Sequence, residues 1–286
     1  MPNQPTNQPT NQQSNTINNS TTRPISFILA STHTGTMILN RQDYTSNANG
    51  EYFGVGYQYL TTSEFDQHEI NLALQLLRLR RQYYGDGVQA LDCGANIGAH
   101  SIAWGNEMTH WGNVLSFEAQ ERIYYALAGN IAINNCFNVR ALNVALGDDS
   151  QEKFLFIPKL DYNQHASFGS FELKQLARSE FIGQYIDYQH AEKIKVPLLS
   201  LDSLELQRLD FIKMDVEGME EEVLKSGLNL IKQFKPIMLV EILKTGLEPI
   251  SNLLIPLGYR IFSQGINILA VHEEDPVLKH ITVNSK

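Results

Sequence analysis

The sequence predicts an α/β fold built on a doubly wound, mostly parallel sheet with a C-terminal antiparallel hairpin. Three observations predict it. From Val88 onward, short apolar runs alternate with helical runs, and strands spaced by helices pack as right-handed βαβ crossovers. The first run ends in a glycine turn that opens a helix, Leu91-Asp92-Cys93-Gly94-Ala95-Asn96-Ile97-Gly98. Doubly wound sheets bind ligands at such a turn. Near the end, Tyr259–Phe262 and Asn267–Val271 flank Ser263-Gln264-Gly265-Ile266, which reads as a hairpin antiparallel to the rest.

Taken in chain order, residues 1–24 are expected to be a disordered tail rich in Asn, Gln, Thr and Pro. NQPT occurs twice in succession, and through residue 22 only Met1 and Ile17 are apolar, so burial cannot offset the entropy of ordering. Residues 25–84 form an N-terminal extension with a helix. Ser26–Ser31 and Gly35–Leu39 read as short strands, and Gly50, Gly54 and Gly56 as loop punctuation. From Ser63 the pattern is helical, with Ile70, Leu74, Leu77 and Arg81 on one face and Glu64 and Asp66 at the N-terminal end. Gly85-Asp86-Gly87 should stop that helix near Tyr84.

Residues 85–286 are expected to be the ligand-binding domain. Strands are predicted at Val88–Cys93, Val114–Glu118, Val139–Val144, Phe211–Asp215 and Ile237–Ile242. Helices are predicted at Ala99–Met108, Glu121–Asn134 and Met219–Ile231. An insertion at residues 151–200 interrupts the alternation with strand-like Lys153–Ile157 and Lys193–Leu199 around a polar, aromatic loop. Long insertions in compact domains are usually lids or binding loops. The part around His165, Asn163–Phe171, mixes hydroxyls, amides and aromatics. It suits sugar recognition, with an ordinary surface loop as the alternative.

Composition narrows the function. The 286 residues are 43% apolar and carry a net charge of −9 with a pI near 5.4. That argues against a nucleic-acid partner, since phosphate binding needs a Lys/Arg-rich face. Cys93 and Cys136 are the two cysteines, so no disulfide framework is expected; both read as small buried hydrophobes. No apolar run approaches a membrane span of about 18 residues, and no basic stretch followed by an apolar one marks a secretory signal. A cytoplasmic protein without a membrane partner is expected; nothing indicates the oligomeric state.

The glycine turn carries the strongest chemical signal. Gly94 lets the backbone turn without a Cβ clash, Ala95 leaves room for a ligand, and Gly98 permits close packing of the helix. A dinucleotide fingerprint needs a glycine where Asn96 stands. Asn tolerates the left-handed conformation and can hydrogen-bond an amino-acid moiety. Asp92 suits an ammonium or bound water and would repel a pyrophosphate. The turn therefore fits a cofactor with an amino-acid tail. Glu118 ends the second strand, 24 residues after Gly94, where an acidic side chain accepts the ribose hydroxyls of an adenosine cofactor.

Four stretches together, Asp92–Gly98, Phe117-Glu118, Asn143–Asp148 and Ile212-Lys213-Met214-Asp215-Val216-Glu217-Gly218-Met219-Glu220, resemble the FkbM family of methyltransferases, as does the spacing to Leu239-Val240-Glu241. The resemblance covers roughly residues 63–272. It implies a Rossmann-like fold, S-adenosylmethionine as cofactor, Asn143 among the cofactor-binding residues, and O-methylation of a sugar, glycan or small-metabolite hydroxyl. No D-P-P-Y or N-P-P-Y motif is present; family resemblance associates that motif with amino-group methylation of bases and glutamine.

Asp215 and Glu217 sit where an apolar strand gives way to a helix, and Glu241 closes the next strand. These three are the candidate catalytic residues. A carboxylate at the crevice can take the proton of a hydroxyl nucleophile, although Asp215 also suits a helix N-cap or cofactor binding. Three oxygen ligands could hold Mg²⁺, but acidic strand ends are common without a metal, and none is expected. Lys244 is expected to pair with one of the three, and His100 to lie on a helix surface. Two rival functions remain: a nicotinamide-dependent oxidoreductase, opposed by Asn96 and by the lack of a Tyr-x-x-x-Lys pair in the second half, and a non-catalytic adenosine-ligand binder, which has no need of the acidic cluster.

Overall fold

The computed structural model describes residues 24–282; the expected tail falls outside them except for its last residue. The chain opens with the antiparallel hairpin β1 (Phe27–Ser31) and β2 (Thr36–Asn40), then the short pair β3 (Thr45–Ser46) and β4 (Tyr52–Phe53). Two helices follow, α1 (Val55–Thr62) and α2 (Gln67–Tyr84). The alternating part then runs β5 (Val88–Cys93), α3 (Ala99–Glu107), β6 (Gly112–Phe117), α4 (Glu121–Ile133) and β7 (Val139–Leu142). Next is β8 (Ala145–Leu146), and the inserted segment contributes β9 (Phe154–Pro158) and β10 (Lys193–Leu199). Last come β11 (Phe211–Met214), α5 (Glu220–Lys225), α6 (Leu228–Phe234), β12 (Ile237–Glu241), α7 (Leu247–Leu254), β13 (Tyr259–Gln264) and β14 (Asn267–His272).

The central sheet has seven strands in the order β13-β14-β12-β11-β5-β6-β7. The run from β12 to β7 is parallel, and β14 is antiparallel to both neighbours. From β5 the chain winds outward to β7, then returns to place β11 on the other side of β5. That reversal opens a crevice at the carboxyl ends of β5 and β11, as at the switch point of any doubly wound sheet. Strands buried on both faces read as apolar runs, and β5, β11 and β12 do. Their side chains alternate between two cores. Val88, Ala90 and Phe211 pack with α2 and α3; Leu91, Cys93 and Ile212 pack with α5 and α7.

Four sequence expectations need correction. The helix expected at Met219–Ile231 is two helices divided at Ser226-Gly227, where Leu201 packs so close that an added Cβ at Gly227 would sit 2.7 Å from it. The strand expected through Val144 ends at Leu142, and Ala145–Leu146 pairs instead with β10 in a three-stranded sheet, β8-β10-β9. The loop expected around Gly54 and Gly56 is partly helix: Gly56 lies inside α1, where only hydrogen fits against the Asn40 carbonyl. Helix α7 was not anticipated; Pro249 stands in its first turn, where no backbone donor is lost.

The N-terminal extension is tied down by polar groups. The Asn130 and Asn134 side chains on α4 bond backbone groups of Ile38 and Thr36, satisfying the free edge of β2. Arg80 of α2 is buried and bonds Asp210 (3.1 Å) and Asp275 (2.5 Å), which flank β11 and β14. Among the described residues, no helix is long and apolar enough to cross a membrane.

Candidate active site

A cavity of about 390 Å³ opens over the carboxyl ends of β5, β6, β11 and β12. Small-ligand sites span about 300–1,000 Å³. It is lined by the glycine turn, by Glu118, and by Asp215, Glu217 and Glu241. Val55 and Gln58 of α1, Glu69 of α2 and Ser167, Gly169, Ser170 and Phe171 of the insertion complete it.

At the turn, Gly94 has φ +80°, and an added Cβ would lie 1.8 Å from the Asp215 carbonyl oxygen. Only glycine lets β5 and β11 release their chains this close together. Asn96 takes the left-handed conformation, φ 49°, and its side chain accepts from the Ile97 N–H. The amides of Gly94 and Ala95 donate to Phe117 O, that of Asn96 to Glu118, and that of Gly98 to Ala95 O. All five amides of the turn are thus occupied by the protein. A pyrophosphate held by the turn itself would need them free.

Glu118 is 6% exposed. Its carboxylate accepts from the backbone N–H of Gln120 (2.7 Å) and of Asn96 (3.0 Å). Burial is the main cause that pushes its pKa up to about 7; the charges of Asp215 and Asp92 add to the rise and the two N–H donors oppose it. A partner that donates hydroxyls to this carboxylate would relieve that destabilised charge.

Three expected binding residues stand behind the wall. Asp92 is buried below the turn, accepting from Ser101 Oγ (2.6 Å), and its Oδ1 has no partner among the described residues. Asn143 does not line the cavity; it donates to the carbonyls of Glu118 (2.8 Å) and Ala119 (3.1 Å) and so holds the loop after β6. Gly98 starts α3 with φ +93° and makes room for Leu127 of α4, so its close packing is with a helix and not with the strand. Gly94, Ala95, Asn96 and Glu118 line the cavity.

The three acidic residues do converge: one oxygen from each of Asp215, Glu217 and Glu241 lies within 4.8 Å of the others. Asp215 Oδ2 is 3.1 Å from the Lys213 ammonium, and Glu217 Oε2 is 2.7 Å from that of Lys244. Lys244 thus pairs as expected, but it also meets Glu172 (3.2 Å) and Glu180 (3.6 Å). Burial, then the Asp215 charge, pushes the Glu241 pKa up to about 8. The same causes raise that of Glu217, with Lys244 opposing.

His100 is a correction. It is 5% exposed, lines the cavity, and its Nε2 lies 3.1 Å from Glu69 Oε1. Helix α2 covers the face of α3 that sequence alone left open. Lys213 was missed as a site residue, although a lysine inside the buried strand Phe-Ile-Lys-Met was a readable signal. The charges of Asp215, Glu69 and Asp92 outweigh its burial and raise its pKa. His165 stays on the surface against Tyr44, while Ser167, Gly169, Ser170 and Phe171 of the same stretch reach the cavity. Cys93 and Cys136 are free and buried, as expected.

The donor set suits S-adenosylmethionine. A buried carboxylate matches a ribose diol, the turn's own amides are already taken, and an acidic wall suits a ligand with ammonium and sulfonium charges. Comparison with known proteins identifies the family. The family described as Methyltransferase FkbM domain matches residues 92–261, more than half of the chain. The protein named Methyltransferase 1 of Beauveria bassiana (strain ARSEF 2860) is 26% identical over 142 residues, 47% of this chain and 56% of that protein; the match thus spans about half the length of this relative. Among solved structures, the FkbM methyltransferase of Methylobacillus flagellatus KT aligns with a TM-score of 0.44 at 15% identity, covering 68% of this chain and 48% of its own. The magnesium protoporphyrin IX methyltransferase of Synechocystis PCC 6803, solved with bound S-adenosylmethionine, aligns at 0.40 and 11% identity, covering 72% and 79%. The chain belongs to the FkbM family of methyltransferases, enzymes whose methyl donor is S-adenosylmethionine.

Proposed function

We propose that this enzyme methylates a hydroxyl of a sugar, glycan or other small metabolite. The observation that carries the reading is the convergence of Asp215, Glu217 and Glu241 in the cavity that Glu118 also lines. S-adenosylmethionine supplies an electrophilic methyl group. A hydroxyl that attacks it must lose a proton as the new O–C bond forms, and a carboxylate with a raised pKa is a competent acceptor near neutral pH. Glu217 and Glu241 fit that role. Asp215, locked to Lys213, orients the acceptor or holds the donor. Holding the reactants in line is the larger contribution, worth about 7–11 kcal/mol in good cases.

In this reading Glu118 binds the ribose, and Gly94, Ala95 and Asn96 form the wall against the donor's amino-acid part. Asp92, Gly98 and Asn143 hold those groups in place. Residues 25–84 and the insertion at 151–200 act as appendages that close the cavity over the domain of residues 85–286. Ser167, Ser170 and Phe171 of the insertion suit a polyhydroxylated acceptor, which favours a sugar over a nucleic acid; the acidic cavity argues the same way. Two free buried thiols suit a reducing compartment such as the cytosol.

The test is Glu217→Gln. It should leave affinity for S-adenosylhomocysteine unchanged and lower kcat about 10²–10⁴-fold, the usual loss for a general base. Wild-type turnover in both Glu217→Gln and Glu241→Gln would leave orientation as the sole source of rate and overturn the assignment of a base.

A further inference from the structure

We propose that Asp215, Glu217 and Glu241 bind one hard divalent cation of the Mg²⁺, Mn²⁺ or Ca²⁺ kind. Their three nearest oxygens span at most 4.8 Å. Two oxygens on opposite sides of such a cation are about 4.2 Å apart for Mg²⁺ and about 4.6–5.2 Å apart for Ca²⁺, twice the metal–oxygen distance. A shared ion would draw the oxygens closer together, since only one pair of the three can lie on opposite sides of it.

A cluster of carboxylates is not in itself a metal site; two features of this one point to a missing partner. Glu241 is 9% exposed, lines the cavity, and has no hydrogen-bond or ion-pair partner among the described residues. The Oδ1 atom of Asp215 is buried and likewise unpartnered, while its Oδ2 faces Lys213. The lysines cannot settle the balance. Lys213 serves Asp215, and Lys244 is divided among Glu172, Glu180 and Glu217. Both ammonium groups are thus engaged, and Glu241 pairs with neither. A buried carboxylate without a partner is costly, and a divalent ion supplies the missing charge and the missing ligand together.

Three protein oxygens leave further positions of a six-coordinate shell for water and for an acceptor oxygen. A cation there would hold the acceptor and ease the loss of its proton. This consequence rests on the hydroxyl-acceptor reading; cation binding itself does not.

The experiment uses the full chain, freed of metal by chelation and dialysis, with no donor or acceptor present. MnCl₂ is titrated calorimetrically and by electron paramagnetic resonance, with MgCl₂ and CaCl₂ as competitors. One saturable site is expected, weakened at least tenfold in Glu241→Gln and in Asp215→Asn and unchanged in Glu192→Gln, which alters an exposed pair with Lys159. The ion should also raise the melting temperature of the wild type and not of the first two variants, whose cooperative melting shows that they fold. Absence of saturation up to roughly 10 mM, above the weakest protein calcium sites at about 1 mM, would overturn the proposal. So would a site that ignores both substitutions. A base-dependent turnover without cation binding would overturn the cation and keep the hydroxyl reading. Cation binding with the methyl group delivered to nitrogen would keep the cation and overturn the hydroxyl reading.

Discussion

Replacing Glu118 by Gln should change both the strength and the pH dependence of donor binding. In the free protein the carboxylate is buried and titrates near 7. Ribose hydroxyls donate to the ionised form, so below pH 7 binding must first remove a proton. Affinity for S-adenosylhomocysteine should then fall about tenfold for each pH unit below 7, since one unit of pKa is about 1.4 kcal/mol. Gln cannot ionise, and the slope assigned to Glu118 disappears. At pH 8 the variant should bind more weakly by about 1.5–3 kcal/mol, roughly 10–150-fold, the worth of hydrogen bonds to a charged group. Glu217 and Glu241 titrate in both proteins, so the difference between the two curves isolates Glu118. Gln also accepts only through one oxygen, leaving the Gln120 or Asn96 amide without its present partner. Melting curves are therefore measured alongside, and Glu118→Asp serves as the variant that keeps the charge and the slope. Calorimetry at pH 6, 7 and 8 is the assay. A folded Glu118→Gln protein with wild-type affinity and slope would refute the ribose assignment.

Other perturbations have equally definite outcomes. Gly94→Ala places a Cβ against the Asp215 carbonyl at a left-handed position, so it should cost more than the roughly 1–2 kcal/mol of left-handed strain alone and abolish donor binding; an unchanged melting temperature would contradict the close approach. Arg80→Met leaves Asp275 buried without a cation, while Asp210 keeps Arg208, and should lower stability by about 3–5 kcal/mol in urea unfolding; a loss under about 1 kcal/mol would show that the network is not what anchors α2. Asp43 is buried between the Phe168 and Gly56 amides, and burial raises its pKa from 3.8 to about 7. The folded state then holds a proton that the unfolded state has lost between those values, so this group's contribution to stability declines as pH rises from about 4 to about 7. Asp43→Asn should flatten that part of the stability profile; an unaltered profile would mean that Asp43 ionises freely.

The elements the sequence revealed are those with local causes. The central strands are mostly apolar, and β5 and β10 begin and end where the pattern placed them. The glycine turn, Glu118 and the acidic trio were legible because a tight turn and a strand end dictate residue type wherever they occur. What was hidden depends on distant partners. His100 is buried only because α2 lies over α3, and α1 forms across two glycines that the Asn40 and Asp43 backbone demands. Motif reading also merged residues that line a site with those that support it. Asp92 and Asn143 lie within the matched stretches yet act on Ser101 and on the Glu118 loop, and no spacing rule separates the two roles.

The measurement that bears most directly on the account is the fate of a labelled methyl group. The full chain is incubated with S-adenosylmethionine carrying a deuterated methyl, together with hydroxylated sugars and metabolite extracts, and labelled products are located by mass spectrometry and carbon NMR. The account predicts a label on oxygen, as a methyl ether of a polyhydroxylated acceptor, formed at a rate that collapses in Glu217→Gln. A product labelled on nitrogen or carbon, formed at equal rates by the wild type and the variant, would contradict it.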